Sequence, residues 1–398
     1  MWDRFLPGMV MTLMATVSLP AQQSQLPAGP PPGMYDESKV PHFTLPDPLV
    51  LLSGEIVQDA FTWRMARRRE ILSLFEVEVY GRTMIGKPKE MTWQVTSEDR
   101  HAMQDSATTK DVTISFSGSK DGPKIQVKMA LPKSSGPVPV FLVPGWMSDL
   151  PLVLRRGYGV ANFDPRTVEP DSRDSAYARG IRGYFAPEGQ SEPRPDEWGT
   201  LGAWAWIASR VMDYLVTDPD VDSARICIMG LSRFGKAAMW AGAQDERFAI
   251  VFSCESGTGG ATIVRRGFGE TVEAINGQFP HWFAGNFKKY NDRVEELPID
   301  WHMLVALMAP RPVYIATAVM DLWGDPRGAF LAAKNAEPVY ALFGKLGLEV
   351  TEMPPVDTPV GNMVGYHIRA GGHGITSYDW SCFIDFADRR FGAGGRTE

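Results

Sequence analysis

The sequence predicts one α/β domain, a three-layer sandwich around a mostly parallel sheet. The chain has 398 residues, 44% of them hydrophobic, and 12 tryptophans, which is enough to form one large core. Residues 226–229 form an apolar run that passes through glycines into small helix formers, the order of a strand feeding a helix. Two later apolar runs, 249–254 and 312–318, each lead to an acidic residue, as strands do at the ligand-binding edge of such a sheet.

The first 47 residues are expected to lie outside the folded domain. Residues 1–21 are interpreted as a signal peptide, because Arg4 precedes an apolar stretch at 9–19 that is too short to span a bilayer. The alternative is a buried N-terminal helix. Residues 22–47 contain three consecutive prolines and predict an extended lead-in. The single domain is then expected over 48–393.

The first half of the domain is predicted to supply more of the sheet and several covering helices. Strands are predicted at 91–95, 111–116, 124–131, 138–143 and 157–164, and helices within 54–81 and at 198–215. The strand at 138–143 is followed by Gly145. A glycine in that loop allows close approach of another group, and this is where a second oxyanion amide is expected.

The turn after residue 229 carries the candidate nucleophile. Its sequence is Gly-x-Ser-x-x-Gly, with Ser232 between Gly230 and Gly235. A sharp strand-to-helix turn exposes a serine hydroxyl at its tip and leaves little room for neighbouring side chains. The structural alternative is a serine that only caps the following helix.

A nucleophilic serine needs a base and an acid that orients it, in the chain order serine, acid, histidine. Glu255 follows the run 249–254 and Asp321 follows 312–318, and either can orient the base. His373 lies in a late glycine-rich loop, which suits an exposed imidazole. The other five histidines are interpreted as surface, packing, sugar-contacting or hydrogen-bonded structural residues: His42, His101, His281, His302 and His367.

These residues resemble the glucuronoyl esterases, a family of carbohydrate esterases, over about residues 54–391. The family turn Gly-x-Ser-Arg-x-Gly-Lys is matched from Gly230 to Lys236, its Glu-Ser-Gly segment begins at Glu255, and its late Gly-His loop is matched at His373. Fungal members carry a disulfide at positions held here by Leu231 and Gly374, so the resemblance is to bacterial members. Many of those have a second acid, as at Asp321.

The resemblance implies an α/β-hydrolase fold and a serine esterase mechanism with Ser232 as nucleophile and His373 as base. Glu255 is favoured as the acid, with Asp321 as its partner or substitute. Arg233 would stabilise the oxyanion through its amide and guanidinium. Sugar contacts are implied for Lys236, Gln278 and Trp323, whereas Asn286 stands where some members have an acidic contact. The implied substrate is the ester that joins 4-O-methyl-glucuronic acid of glucuronoxylan to lignin alcohols.

Composition excludes some classes and leaves two alternatives. A net charge of −7 argues against a nucleic-acid partner. No later segment is apolar enough to span a membrane, the three cysteines are expected to be buried thiols, and no metal or cofactor is expected. We expect a secreted or periplasmic monomer. The alternatives are an acetyl-xylan-type esterase of the same fold and a non-catalytic carbohydrate-binding relative.

Overall fold

A computed structural model describes residues 32–174 and 176–392. The predicted signal peptide, residues 1–21, therefore lies outside the described residues. Within the described ranges, ten strands form one sheet in the order β1-β2-β3-β5-β4-β6-β7-β8-β10-β9. They are β1 (Thr92–His101), β2 (Ala107–Ser115), β3 (Lys124–Pro132), β4 (Val138–Pro144), β5 (Gly159–Phe163), β6 (Val221–Leu231), β7 (Ile250–Cys254), β8 (Val313–Ala318), β9 (Val360–Gly361) and β10 (Val364–Arg369).

The middle of the sheet consists of six strands that pair in parallel, in the spatial order β5-β4-β6-β7-β8-β10. The flanking pairs β1–β2, β2–β3, β3–β5 and β9–β10 are antiparallel. Parallel strands need crossover helices, and these cover both faces. The predicted mostly parallel α/β sheet is thus confirmed.

The described part of the chain contains twelve α-helical segments, two before β1, one after β10 and the others between strands. They are α1 (Ala60–Thr62), α2 (Arg68–Phe75), α3 (Ala102–Asp105), α4 (Leu150–Arg155), α5 (Ala176–Arg179), α6 (Ile181–Tyr184), α7 (Thr200–Leu215), α8 (Arg233–Gln244), α9 (Val272–Gln278), α10 (Trp301–Ala306), α11 (Pro326–Ala341) and α12 (Ser377–Phe391). Within the ranges described, none of these helices has the length and apolar character needed to cross a membrane.

Alternation along the central strands divides the core into two layers, because successive side chains of a strand point to opposite faces. Val140 and Leu142 of β4 pack in the larger cluster with α7, α8 and α11, whereas Phe141 and Val143 pack in the smaller cluster with α12. The sheet therefore lies between two helical layers. This arrangement fixes the carboxyl ends of β6, β7, β8 and β10 at one edge.

The structure differs from the sequence expectations at the antiparallel end of the sheet. Strand β1 runs from Thr92 to His101, well beyond the strand predicted at 91–95, so His101 belongs to the edge strand of the sheet. The lead-in is also partly packed: Gly269 N–H donates to Met34 O at 2.9 Å, and Glu37 pairs with Arg266 at 2.6 Å. Residues near 34–37 thus contact the loops around the carboxyl edge.

Candidate active site

Ser232 occupies the sharp turn between β6 and α8. Its φ of 58° and ψ of −126° are strained for a residue with a side chain. A Cβ added at Gly230 would lie 2.1 Å from the carbonyl oxygen of Phe234, so the helix can fold back against the strand only with a glycine there. The Ser232 side chain makes no capping hydrogen bond to α8. The helix-cap alternative is therefore wrong, and the Ser232 hydroxyl is not engaged in capping α8.

The turn is joined directly to the end of β7. Ser232 N–H donates to Cys254 O at 2.9 Å, and Glu255 is the next residue. Glu255 has a φ of 46°, so both chain segments turn sharply as they leave the sheet. The serine and this buried carboxylate thus lie at neighbouring strand ends.

His373 lies in the loop that connects β10 to α12, and Arg369 at the end of β10 holds this loop. The Arg369 guanidinium donates to the carbonyls of Gly372 and Gly374 at 3.0 and 2.7 Å, on both sides of the histidine. It also donates to Glu255 Oε1 at 2.6 Å and Asp379 Oδ2 at 2.9 Å. Its side chain is only 5% exposed. One buried arginine therefore ties the histidine loop to both β7 and α12.

Two carboxylates contact the same imidazole nitrogen. His373 Nδ1 lies 2.9 Å from Asp321 Oδ2 and 3.2 Å from Glu255 Oε2. Asp321 comes from the loop after β8 and Glu255 from the end of β7, so three strand ends meet here. The sequence prediction that either acid can reach the histidine is consistent with this geometry, and Asp321 makes the shorter contact.

The two acids have different surroundings. Glu255 also accepts from the Gly374 amide at 2.5 Å. Burial raises the pKa of Glu255 to about 8, helped by the charge of Asp321 and opposed by the charges of His373 and Arg369. For His373, burial alone would lower the pKa, but the hydrogen bond and charge of Asp321, with the charge of Glu255, raise it above its ordinary value. The imidazolium form is thus stabilised.

Ligand-type atoms of Glu255, Asp321 and His373 lie within 4.8 Å of one another, a spacing that a metal ion can also use. The Arg369 guanidinium, 2.6 Å from Glu255, places a fixed positive charge against this group and disfavours a second cation. The arrangement suits the orientation of an imidazole better than metal binding.

Arg233, the first residue of α8, is held by Asp171. Its Nη1 donates to Asp171 Oδ2 at 2.5 Å, while Oδ1 accepts from His281 Nε2 at 2.8 Å and Trp282 Nε1 at 2.7 Å. The guanidinium also lies over the Trp282 ring, 5.0 Å from its centroid. Burial alone would raise the pKa of Asp171, but these donors lower it to about 2. Asp171 is therefore a charged partner of the residue that follows Ser232.

Lys236 lies one helical turn further on and is buried. Its ammonium donates to Glu270 at 2.7 Å, and Glu270 also accepts from Trp323 Nε1 at 3.1 Å. Burial lowers the pKa of Lys236, and the charge of Glu270 opposes this. Lys236 and Trp323 are thus brought together by one carboxylate, whereas Gln278 is exposed at the end of α9.

Gly145, two further histidines and the cysteines have structural roles in the fold. Gly145 N–H is already bonded to Phe163 O at 2.7 Å, so this amide is not free for an oxyanion. A Cβ there would lie 2.1 Å from the Phe234 ring, so the close approach that Gly145 permits is to a side chain. His302 bonds Pro46 O and His367 bonds Asp379, both as structural groups. The three cysteines are free and buried.

Sequence reasoning missed Asp171, Glu270 and Arg369. Asp171 and Glu270 lie in loops, 61 and 38 residues from the serine by their numbering, without a motif that marks them. Arg369 lies four residues before His373, and the only available signal was a charged residue ending an otherwise apolar strand. Such positions become visible only when the fold brings separate loops together.

The sheet, the strained serine turn and the histidine with its two carboxylates define an α/β-hydrolase. The family model described as "Glucuronyl esterase, fungi" matches residues 112–344, more than half of the chain. The chain belongs to the glucuronoyl esterase family.

Relatives support this assignment over nearly the whole length. A glucuronoyl esterase from Solibacter usitatus is 44% identical, with a TM-score of 0.86 over 89% of this chain and all of the other. A carbohydrate esterase from an unknown prokaryotic organism is 38% identical over 90% of this chain and 92% of its own. 4-O-methyl-glucuronoyl methylesterase 1 of Phanerochaete chrysosporium is 28% identical over 80% of this chain and 66% of its own.

Proposed function

We propose that this chain is a serine carboxylic ester hydrolase acting on the ester between 4-O-methyl-glucuronic acid of glucuronoxylan and lignin alcohols. The substrate class follows from the relatives that are named as glucuronoyl esterases and 4-O-methyl-glucuronoyl methylesterases. The observation that carries the chemistry is the pair of carboxylates on His373 Nδ1, beside the strained Ser232 turn. Methyl and benzyl esters of glucuronic acid are the model substrates.

In the proposed mechanism, Ser232 Oγ attacks the ester carbonyl carbon while His373 Nε2 accepts the serine proton. The tetrahedral intermediate collapses, the C–O bond to the alcohol breaks, and His373 returns the proton to the leaving oxygen. Water then hydrolyses the glucuronoyl-serine by the same route. Asp321 and Glu255 together keep the proton of the neutral imidazole on Nδ1, which leaves Nε2 as the basic atom.

The oxyanion is proposed to lie at the N-terminus of α8. The Arg233 amide belongs to the first turn of that helix, where backbone N–H groups carry partial positive charge. The guanidinium of Arg233 adds a donor, since its Nε is buried without a hydrogen-bond partner among the described residues. Removal of one such donor typically costs about 3–4 kcal/mol in the transition state.

The sugar is proposed to bind on the side of Lys236 and Trp323. Glu270 joins these two side chains, which supports a preformed polar wall beside an indole ring that can stack on a pyranose. Gln278, also predicted to contact the sugar, is exposed and remains a proposed contact at the rim.

Two further proposals concern the protein in its environment. Its polymeric substrate lies outside the cell, and the apolar stretch at 9–19 has the length of a signal-peptide core, which supports secretion or periplasmic location. We also propose a monomer that needs no nucleic-acid partner, in keeping with its net charge of −7.

The decisive experiment compares substrates on pure enzyme. The proposal predicts hydrolysis of benzyl glucuronate with saturation kinetics and little release of acetate from acetylated xylan. Faster deacetylation would favour the acetyl-xylan alternative. Binding of glucuronate without hydrolysis of any ester would favour the non-catalytic alternative.

A further inference from the structure

The two cations at the start of α8 are each paired with a carboxylate that is largely shielded from solvent. Arg233 pairs with Asp171 at 2.5 Å and Lys236 with Glu270 at 2.7 Å. The Asp171 and Glu270 side chains are only 14% and 7% exposed. The positive charge next to Ser232 is therefore compensated before any substrate arrives.

This compensation matters because the proposed reaction changes the charge of its ligand. A glucuronoyl ester is neutral at the reacting carbon, whereas hydrolysis leaves a carboxylate in the same place. An unpaired guanidinium binds a carboxylate through forked, charge-assisted hydrogen bonds. A site with a free arginine beside the serine would thus hold its product more tightly than its substrate.

We propose that Asp171 is a positioning residue that keeps Arg233 directed towards the reacting carbonyl and prevents it from retaining the acid product. This inference rests on the proposed function. Asp171 already pairs with Nη1 of Arg233, so a product carboxylate meets a guanidinium whose positive charge is largely compensated. The stacking of the guanidinium on Trp282 and the bond from Trp282 Nε1 to Asp171 fix the pair as one unit.

The two oxygens of Asp171 allow a clean substitution. Oδ1 accepts from His281 and Trp282, and Oδ2 accepts from Arg233. Asp171→Asn keeps an oxygen for the first two donors and replaces the acceptor of Arg233 with an amide NH₂. The variant therefore removes the ion pair with little change in shape.

Asp222 provides the matched control. Its Oδ1 accepts from the Ala224 amide at 2.9 Å and its Oδ2 from Arg225 Nε at 2.6 Å, the same division between a neutral donor and an arginine. It lies near the start of β6, at the opposite end of that strand from Ser232. Asp222→Asn is expected to leave ligand binding and turnover unchanged.

The test measures affinity for the acid and for its methyl ester in a Ser232→Ala background, where both are stable. Calorimetric titration with 4-O-methyl-glucuronate and methyl 4-O-methyl-glucuronate gives the ratio of the two affinities. Asp171→Asn is expected to raise affinity for the acid about tenfold, the scale of one charge-assisted hydrogen bond, and to change that for the ester less than about twofold. In the active enzyme the acid should become a stronger product inhibitor while kcat falls.

Further variants separate positioning from a structural effect. Asp171→Glu restores the charge and should return the ratio towards the wild-type value. In an Arg233→Ala background, Asp171→Asn should no longer alter the ratio, because its effect acts through the guanidinium. If Asp171→Asn does not fold, Asp171→Ser supports the same comparison, because it also removes the charge.

An unchanged acid-to-ester ratio in folded Asp171→Asn or Asp171→Ser, or a change that persists without Arg233, overturns the inference alone. A wild-type enzyme that hydrolyses no glucuronate ester overturns the proposed function, and the inference with it.

Discussion

His373 Nδ1 lies between two carboxylates, 2.9 Å from Asp321 Oδ2 and 3.2 Å from Glu255 Oε2. The acids come from adjacent strands, β7 and β8, so one imidazole N–H has two acceptors at similar range. Of these two acids, Glu255 also pairs with the guanidinium of Arg369. Asp321 is therefore the nearer acceptor, and Glu255 is a second one whose charge is partly compensated.

This relationship predicts that the two acids share the orientation of the base. We expect Asp321→Asn and Glu255→Gln each to lower kcat by about 10–100-fold, because the remaining carboxylate still holds Nδ1. The double variant should approach the roughly 10⁴-fold loss seen when a triad acid is neutralised. Steady-state kinetics on benzyl glucuronate measures this. A full loss from one variant and none from the other would assign the role to a single acid.

The pH profile should reflect the raised pKa of His373. Stabilisation of the imidazolium, chiefly by the hydrogen bond and charge of Asp321, is present below the ordinary pKa of 6.5 and is lost as pH rises through the higher folded-state value. The base must be neutral, so the acid limb of kcat/KM should have its midpoint above 6.5.

Asp321→Asn tests the cause of this shift. Loss of the carboxylate nearest to Nδ1 should move the midpoint to lower pH. Asp385→Asn, which alters an exposed acid on α12, should leave it in place. A midpoint that does not respond to Asp321→Asn would contradict this explanation.

Arg369 should be important for both stability and catalysis. It is 5% exposed, whereas the side chains of its partners Glu255 and Asp379 are fully buried, and removing one member of such a group typically costs about 3–5 kcal/mol. We expect Arg369→Gln to lower the free energy of unfolding by that order and to reduce kcat, because the His373 loop loses its anchor. Chemical denaturation measures the first effect.

A surface arginine gives the comparison for Arg369. Arg100 is 60% exposed and pairs with Glu98 and Asp220, so Arg100→Gln should change the free energy of unfolding by about 1 kcal/mol or less. Equal effects of the two substitutions would mean that the buried network of Arg369 stabilises the fold no more than an exposed ion pair does.

The lead-in is expected to stabilise the edge that carries the site. Met34 bonds Gly269, the neighbour of Glu270, and Glu37 pairs with Arg266. Deletion of residues 1–39 should lower the melting temperature and raise KM for a glucuronate ester, because the loop that carries Glu270 loses its support. Deletion of 1–31 alone is the control. Identical behaviour of the two truncated proteins would show that this segment is dispensable.

The sequence was informative where local pattern and chemistry coincide. Buried apolar runs predicted most central strands to within a few residues, since strands covered on both faces must be apolar. The glycines around Ser232 predicted the turn, because only glycine fits beside Phe234 O. The steric requirement at this turn involves residues close together in the chain, so the local sequence is enough to indicate it.

The contacts that the sequence did not predict join segments that are far apart along the chain. Nothing near Asp171 in the sequence indicates Arg233 as its partner, and nothing near Glu270 indicates Lys236. The length of β1 was also underestimated, because the exposed end of an edge strand lacks an apolar signal. Charge pairing between loops is fixed by the fold, so it becomes visible only in three dimensions.

Hydrolysis through a glucuronoyl-serine intermediate requires the Ser232 hydroxyl, so Ser232→Ala is the decisive variant. The wild-type enzyme and this variant, matched for folding by circular dichroism and melting temperature, are assayed on benzyl glucuronate. We expect a loss of turnover on the order of 10⁶-fold, as when a nucleophilic serine is removed elsewhere, with glucuronate binding retained. Retention of more than about one per cent of wild-type turnover by the pure variant would contradict a mechanism through Ser232, because removal of the nucleophile should leave far less activity than that.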